Sequence, residues 1–279
     1  MFDIKNIRIG IIGCGNMGEA SLAGLLKKNI FDKNHITISE KQEERLQFVK
    51  NKHQGINSAK DNKSLIENSS VIILAVKPQD MEALLKEISP FLNNSHLIIS
   101  IAAGIKISFI EKIIQKTIPI IRVMPNLPAL IGEGISAYAV SATVSKENKT
   151  IAEMLEGVVV KILGSLGKVI KLEEEKLDAV TAISGSGPAY VFYMLEAMAK
   201  AGIELGLTKE QAKTLSVKTI IGAAKMIEKG ECPTNLRQRV TSPKGTTETA
   251  FKVLKSKKWK ETLIEAIKKA EERSKELSK

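Results

Sequence analysis

The sequence has 279 residues, 43% apolar and 26% charged, a composition that can bury a sizeable core in about two domains and excludes disorder, collagen and disulfide scaffolds. With 42 basic and 31 acidic side chains the formal net charge is +11, which is compatible with a nucleic-acid partner or with a lysine-rich surface. The longest apolar runs, such as Val71 to Val76, fall far short of the roughly 20 residues that span a bilayer, and Met1-Phe2-Asp3-Ile4-Lys5 does not read as a secretory start, so no membrane partner and a cytoplasmic location are expected.

Along the first half, short apolar runs alternate with helical patterns. The strand candidates are Ile7 to Ile12, Ile36 to Ile38, Val71 to Val76, Leu97 to Ile101, Ile118 to Val123, Ile135 to Val140 and Gly167 to Ile170. Between them lie helix candidates Met17 to Lys28, Lys41 to Lys52, Met81 to Ile88, Ser108 to Lys116 and Lys146 to Leu163. This rhythm predicts a doubly wound, parallel α/β sheet.

The first run ends in Gly13-Cys14-Gly15-Asn16-Met17-Gly18, a GxGxxG turn that opens a helix. Gly13 permits the tight turn, Gly15 lets a diphosphate approach the backbone, and Gly18 lets helix and strand pack, while the helix start offers N–H groups to the anion. Strand before and helix after support a dinucleotide site over a merely structural glycine turn. Cys14, with no partner base or cysteine in the motif, fills a small slot. The second run leads to Glu40-Lys41, about 20 residues on, where the ribose is read. Glu40 accepting the 2′-hydroxyl favours NADH, while Lys41 offers a cation to a 2′-phosphate. Further along, Lys77-Pro78 ends one strand, Ala102-Ala103-Gly104 another, and Met124-Pro125-Asn126-Leu127-Pro128 a third, outlining a single crevice at carboxyl ends of strands.

After Ile170 the pattern is wholly helical: Leu177 to Ile183, Pro188 to Leu205, Lys209 to Lys229, Thr246 to Leu254 and Trp259 to Leu277. Two segments exceed what packing needs. Ser184-Gly185-Ser186-Gly187-Pro188 is a helix start. Val240-Thr241-Ser242-Pro243-Lys244-Gly245-Thr246-Thr247-Glu248 gathers hydroxyls, a glycine and a helix N-terminus, which suits a carboxylate, with a plain helix cap as the alternative. From Lys252 to Lys279 ten basic and five acidic residues alternate, and six arginines in the whole chain are too few for forked phosphate contacts, so a solvated face rather than a nucleic-acid partner is expected. Two cysteines and three histidines lie scattered without ligand spacing, and no metal is expected.

Four motifs together make the chain resemble the pyrroline-5-carboxylate reductases: Ile11 to Gly18, Leu74 to Gln79, Leu177 to Tyr190, and Leu236-Arg237-Gln238-Arg239-Val240-Thr241-Ser242-Pro243-Lys244-Gly245-Thr246-Thr247. The resemblance runs almost from end to end. It implies an N-terminal Rossmann-type doubly wound sheet domain, residues 1–165, followed by an all-helical substrate-binding and dimerisation domain, residues 166–279. It implies NAD(P)H-dependent reduction of 1-pyrroline-5-carboxylate to L-proline. The coenzyme would be bound by Gly13, Cys14, Gly15, Asn16, Met17, Gly18, Asn62, Ala75, Val76, Lys77, Pro78, Ala102, Ala103 and Gly104, with Glu40 and Lys41 at the ribose. Substrate contacts would come from Glu174, Glu231, Ser242, Gly245, Thr246 and Thr247, the Thr247 hydroxyl being the candidate catalytic group near the ring nitrogen.

Two departures stand out. Where that family usually has Gly-Gly after Ser-Pro, this chain has Lys244-Gly245; where relatives often carry Ser or Asn before Arg, it has Glu40-Lys41, which favours NADH against the family's common NADPH. The resemblance also implies homodimers through interlocked helical domains, assembling as far as a decamer of dimers, and a monomer without activity. Apolar residues on more than one face of the Pro188 to Leu205 helix agree with such an interface. Two other readings remain at this point: a β-hydroxyacid dehydrogenase, which needs a lysine that Pro188 to Ala199 lacks, and a non-catalytic NAD(P)-binding protein.

Overall fold

The structure is a computed structural model describing residues 7–27, 31–146 and 149–278, and in it the apolar runs pair into one sheet. Its strands are β1 (Ile9–Ile12), β2 (Ile36–Ser39), β3 (Asn57–Ser58), β4 (Val71–Leu74), β5 (Leu97–Ser100), β6 (Ile120–Met124), β7 (Gly134–Val140) and β8 (Gly167–Lys171), in the spatial order β3-β2-β1-β4-β5-β6-β7-β8. Every pairing is parallel except β6 with β7. The exception has a simple cause. A parallel return needs a crossover of roughly a dozen residues or more, and the segment from Pro125 to Glu133 is too short to supply it, so the chain turns back through a 3-10 turn, Leu127–Ile131.

The helices on this sheet are α1 (Asn16–Lys27), α2 (Glu43–Lys52), α3 (Asn62–Glu67), α4 (Met81–Ile88), α5 (Ile107–Ile114), α6 (Ala142–Lys146), α7 (Lys149–Leu163) and α8 (Leu177–Val180). Strands β1, β4 and β5 are buried along their whole length, because helices cover both faces. One face packs Ile9, Ile11, Val71 and Ile99 with Leu22 and Leu25 of α1 and Val158 and Leu163 of α7. The other packs Ile72, Leu74 and Ile98 with Leu85 of α4 and Ile110 of α5. The continuous β-branched runs of the sequence are therefore strands with no solvent side.

Two elements of this part are too short to show a period, although α3 buries Leu65 and Ile66. β3 is a two-residue polar strand that exists because β2 offers it an edge. α3 is a single short helix started by the Asp61 side chain, which accepts from Ser64 N. The Lys28 end of the first predicted helix and residues 147–148 of the Lys146 to Leu163 pattern lie outside the described residues. The predicted Leu177 to Ile183 helix changes character midway: after α8 the ring widens into a π turn, Thr181–Gly185, in which Ser186 N donates to Thr181 O at 2.8 Å.

The chain divides into two compact units, Met1–Ser186 with Glu271–Lys279, and Gly187–Ala270. The sequence division at 165/166 differs from this because β8 pairs in register with β7, from Gly134 opposite Gly167 to Tyr138 opposite Lys171, which ties those residues to the sheet. The second unit contains α9 (Gly187–Glu204), α10 (Lys209–Glu228), α11 (Pro233–Arg239), α12 (Thr246–Ser256) and most of α13 (Trp259–Leu277). α9 packs on α10, whose start is a capping box between Thr208 and Gln211. α11 was absent from the periodicity because it is short and polar; proline at its first turn is its one signal.

Candidate functional site

The glycine turn follows β1 directly. Gly13 stands at φ +92°, and a Cβ there would lie 2.8 Å from Ala75 O; at Gly18 a Cβ would lie 2.0 Å from Gly13 O. Neither position has room for a side chain. Gly15 is the opposite case, with nothing within 4 Å of its missing Cβ. The turn is thus tight where strand and helix meet and open where a diphosphate would approach, and α1 begins at the next residue, Asn16, with its amides leading. Met17, behind it, packs against the core.

Cys14 is fully buried between these glycines, and its thiol is pushed up to about 12, first by burial and then by the Glu40 carboxylate. A thiol so protonated is a packing group, as its sequence context suggests. Its backbone is held from both sides: Cys14 N donates to Glu40 Oε2 at 2.8 Å, and Arg45 Nε donates to Cys14 O at 2.6 Å. Arg45 is a residue that sequence reasoning missed. It also pairs with the buried Glu19 of α1, which accepts from Lys52 Nζ at 2.6 Å and lies 3.5 Å from His53 Nε2. Burial raises the Glu19 carboxyl, but the hydrogen bonds from Lys52 and Arg45 outweigh it and hold the group below the usual range. Arg45 and Lys52 sit two turns apart on one side of α2, yet nothing in the sequence says that this side faces Glu19.

The other predicted coenzyme residues gather at the same carboxyl edge, after β1, β2, β4 and β5. Glu40 Oε1 accepts from Gln42 N at 3.0 Å, so this carboxylate spans the glycine turn and the entry to α2. Lys41 points its ammonium to Asp80, 3.6 Å away, both side chains exposed. Asn62, at the start of α3, accepts from Ser39 Oγ at 2.6 Å and donates to Glu87 Oε1 at 3.0 Å. Ala75 N donates to Ile12 O at 2.8 Å, Val76 packs on the second core, and Lys77 caps a 3-10 turn that starts at Pro78. Ala102 and Gly104 are buried while Ala103 between them is exposed. Such an edge, at the point where a doubly wound sheet reverses its winding, fits a dinucleotide. Among the described residues no group of three His, Cys, Asp or Glu side chains could hold a metal ion.

The predicted carboxylate turn belongs to the second unit. Gly245 N donates to Ser242 O at 3.0 Å and closes a four-residue turn with Pro243 and Lys244 in the middle. Lys244 has φ +61°, the conformation that the third position of a type II turn requires. A Cβ on Gly245 would lie 2.5 Å from Ser242 Oγ, so the glycine lets the serine hydroxyl fold over the helix start. Gly245 is the N-cap of α12, and Thr246 and half-buried Thr247 are its first residues, whose amides have no carbonyl one turn back. Glu248 steadies the turn by accepting from Lys244 N at 2.9 Å. Ser242, Gly245, Thr246 and Thr247 are therefore brought together; the Thr241 hydroxyl is engaged with Arg237 O at 2.6 Å.

The two predicted glutamates lie apart from that turn in the chain. Glu231 precedes α11 and accepts from Arg239 at 2.5 Å. Glu174 lies in the sheet unit, where its Oε1 accepts from Ile107 N at 2.8 Å and from the buried Arg122 at 3.0 Å.

Comparison with known proteins gives concordant matches. A family model described as pyrroline-5-carboxylate reductase dimerisation matches residues 174–277, and one described as NADP oxidoreductase coenzyme F420-dependent matches residues 8–104. Pyrroline-5-carboxylate reductase 1 of Bacillus subtilis is 39% identical over 280 residues, covering 100% of this chain and 91% of the relative. The pyrroline-5-carboxylate reductase of Aquifex aeolicus is 36% identical, with 98% of each chain covered. Among solved structures, the Plasmodium falciparum pyrroline carboxylate reductase with NADP bound superposes with a TM-score of 0.87 at 32% identity, covering 99% of this chain and 100% of that one.

Proposed function

The chain belongs to the pyrroline-5-carboxylate reductase family, and on that premise we propose that it reduces the cyclic imine 1-pyrroline-5-carboxylate to L-proline, the last step of proline biosynthesis. The observation that carries the reading is the Ser242–Thr247 turn, which places hydroxyls and unpaired helix-start amides side by side in a chain that also has an open glycine turn. The balance is one imine, one NAD(P)H and one proton giving one amine and one NAD(P)+. When bound, NAD(P)H would supply the hydride chemistry that this reduction needs.

The chain's own work is positional. The amides of Thr246 to Glu248 and the Ser242 hydroxyl hold the substrate carboxylate, and the Thr247 hydroxyl lies toward the ring nitrogen, steadying it as the carbon is reduced. Glu231, fixed by Arg239, supports this side. Glu174, named by the family resemblance as a further substrate contact, is held in the sheet unit by Arg122 and the first amide of α5. The glycine turn, Asn62, the Ala75 to Pro78 strand end and the Ala102 to Gly104 turn hold the coenzyme. Because the protonated imine is already electrophilic, a solvent proton suffices and no strong general acid is required.

NADH is the favoured coenzyme in this reading. Glu40 sits on the glycine turn where a ribose hydroxyl would be read, its charge disfavours a 2′-phosphate, and the neighbouring Lys41 ammonium is directed to Asp80. The two free cysteines, Cys14 and Cys232, suit a reducing, cytoplasmic compartment.

The test is loss of dihydronicotinamide absorbance on adding 1-pyrroline-5-carboxylate, with NADH and NADPH compared below saturation. Substrate-dependent oxidation, faster with NADH, is the expected result, and no oxidation with either coenzyme would overturn the activity. Thr247→Ala is expected to lower kcat by about one to two orders of magnitude, the loss of one hydrogen bond that strengthens during reaction. Unchanged kcat removes Thr247 from the chemistry.

A further inference from the structure

The last turn of α13 leaves the helical unit and ends against the sheet, where a buried polar cluster receives it. Asp178, at the start of α8 and 6% exposed, accepts from Ser274 Oγ at 2.7 Å and from Ser278 Oγ at 3.0 Å. Ser278 Oγ also lies 2.9 Å from Ser274 O. The same oxygen, Asp178 Oδ1, lies 4.0 Å from Arg122 Nη2, and Arg122, 3% exposed, in turn donates to Glu174. Glu174 accepts the first amide of α5. The backbone carbonyl of Leu277 lies 3.2 Å from the point where a Cβ on Gly104 would sit, and Gly104 has φ +72°.

Ala102 to Gly104 is thus gripped at two points. Glu174 holds the helix that follows it, and the backbone of Leu277 and Ser278 lies against Gly104 itself. A fully buried arginine with two carboxylates is a costly arrangement for mere cohesion, since an apolar set of the same volume is commonly as stable. Its product here is a fixed position for a turn of the coenzyme edge.

We infer that Asp178, Ser274 and Ser278 form a latch by which the end of α13 positions the Ala102 to Gly104 turn for the coenzyme, so that they are positioning residues for coenzyme binding. The inference rests on the assignment of that turn to NAD(P)H made above. One buried and one half-buried hydroxyl engage a carboxylate that already faces Arg122, and their removal frees the end of α13 to lift from Gly104 without touching any residue of the glycine turn or of the Ser242–Thr247 turn.

The experiment is the double variant Ser274→Ala with Ser278→Ala in the full chain, read by NADH dissociation constant from dihydronicotinamide fluorescence, by KM for 1-pyrroline-5-carboxylate and by thermal midpoint. The coenzyme constant is expected to rise about tenfold while the KM for the imine stays within about twofold, and Ser274→Thr, which keeps a hydroxyl, is expected to bind as the parent does. A folded double variant with the parent's coenzyme constant overturns the latch, as does an equal rise in both constants. If the double variant does not fold, the single variant Ser278→Ala, which removes one of the two hydroxyls on Asp178 and leaves Ser274 in place, is read in the same way. The parent chain separates the two readings: failure to bind NADH and NADPH overturns the coenzyme assignment, whereas binding that is unchanged in the variants overturns the latch alone.

Discussion

Lys244 stands at φ +61° in the middle of the Ser242–Gly245 turn, where a side chain crowds its own backbone. A left-handed residue with a Cβ costs about 1–2 kcal/mol, of which glycine would return only part because it loses more freedom on folding. Lys244→Gly is therefore expected to stabilise the fold by about 0.5–1 kcal/mol and to raise the thermal midpoint by a few degrees, about 1–3 °C. Its side chain is exposed beside the turn proposed to hold the substrate carboxylate, so the same variant should raise the KM for the imine at low ionic strength by about two- to threefold and converge with the parent in high salt. A lower midpoint, or a KM difference that persists in salt, contradicts this account. The sequence showed the departure from Gly-Gly, but the strain of that position is a dihedral angle and is invisible there.

At the scale of elements, the contact between α1 and α2 is the informative one. Glu19 of α1 is buried against Arg45, Lys52 and His53, and Arg45 extends the contact to the backbone of the glycine turn. A carboxyl whose folded pKa lies below its unfolded one lends stability at pH above the unfolded value and loses it as the pH falls through the folded one. Glu19 is such a group, depressed from 4.5. The stability of the parent, measured by denaturant midpoint, is expected to fall more steeply below about pH 4.5 than that of Glu19→Gln. Parallel curves would show that the ion pairs contribute nothing net. Periodicity read α1 and α2 closely, since both have apolar residues to bury, but polar pairing between helices has no period, and β3, α3 and α11 were missed because each is too short to show one, even though α3 buries Leu65 and Ile66.

For the whole molecule, the helical unit is the revealing part. Between Gly187 and Ala270 only Ala212 and Ser216 are buried, while Tyr193 is 77%, Leu205 84% and Val240 66% exposed. A unit that covers so little of its own apolar surface needs another surface upon it, which agrees with the dimerisation model that matches this region. Sedimentation should give at least twice the mass of one chain, with a larger multiple if dimers assemble further. Carboxylates placed together in the exposed apolar face of α9, Phe192→Asp with Ile203→Asp, should shift the chain toward monomer and abolish activity in parallel. A fully active monomer would refute the link between assembly and reaction.

What the sequence by itself determined is local. The glycine turn, the strands buried on both faces and the Ser-Pro-Lys-Gly-Thr-Thr segment follow from steric and periodic rules that act over a few residues, and they sufficed to indicate the fold, the coenzyme and the family. Only the tertiary structure decided that β7 runs against β6, that β8 belongs to the sheet, that Glu40 and Arg45 grip the Cys14 backbone, and that Ser274 and Ser278 return to Asp178 from the far end of the chain. The strand pairings depend on which chain segments come to lie side by side, and the polar contacts on which groups meet after burial, where desolvation makes a partner obligatory but leaves its position in the chain unspecified.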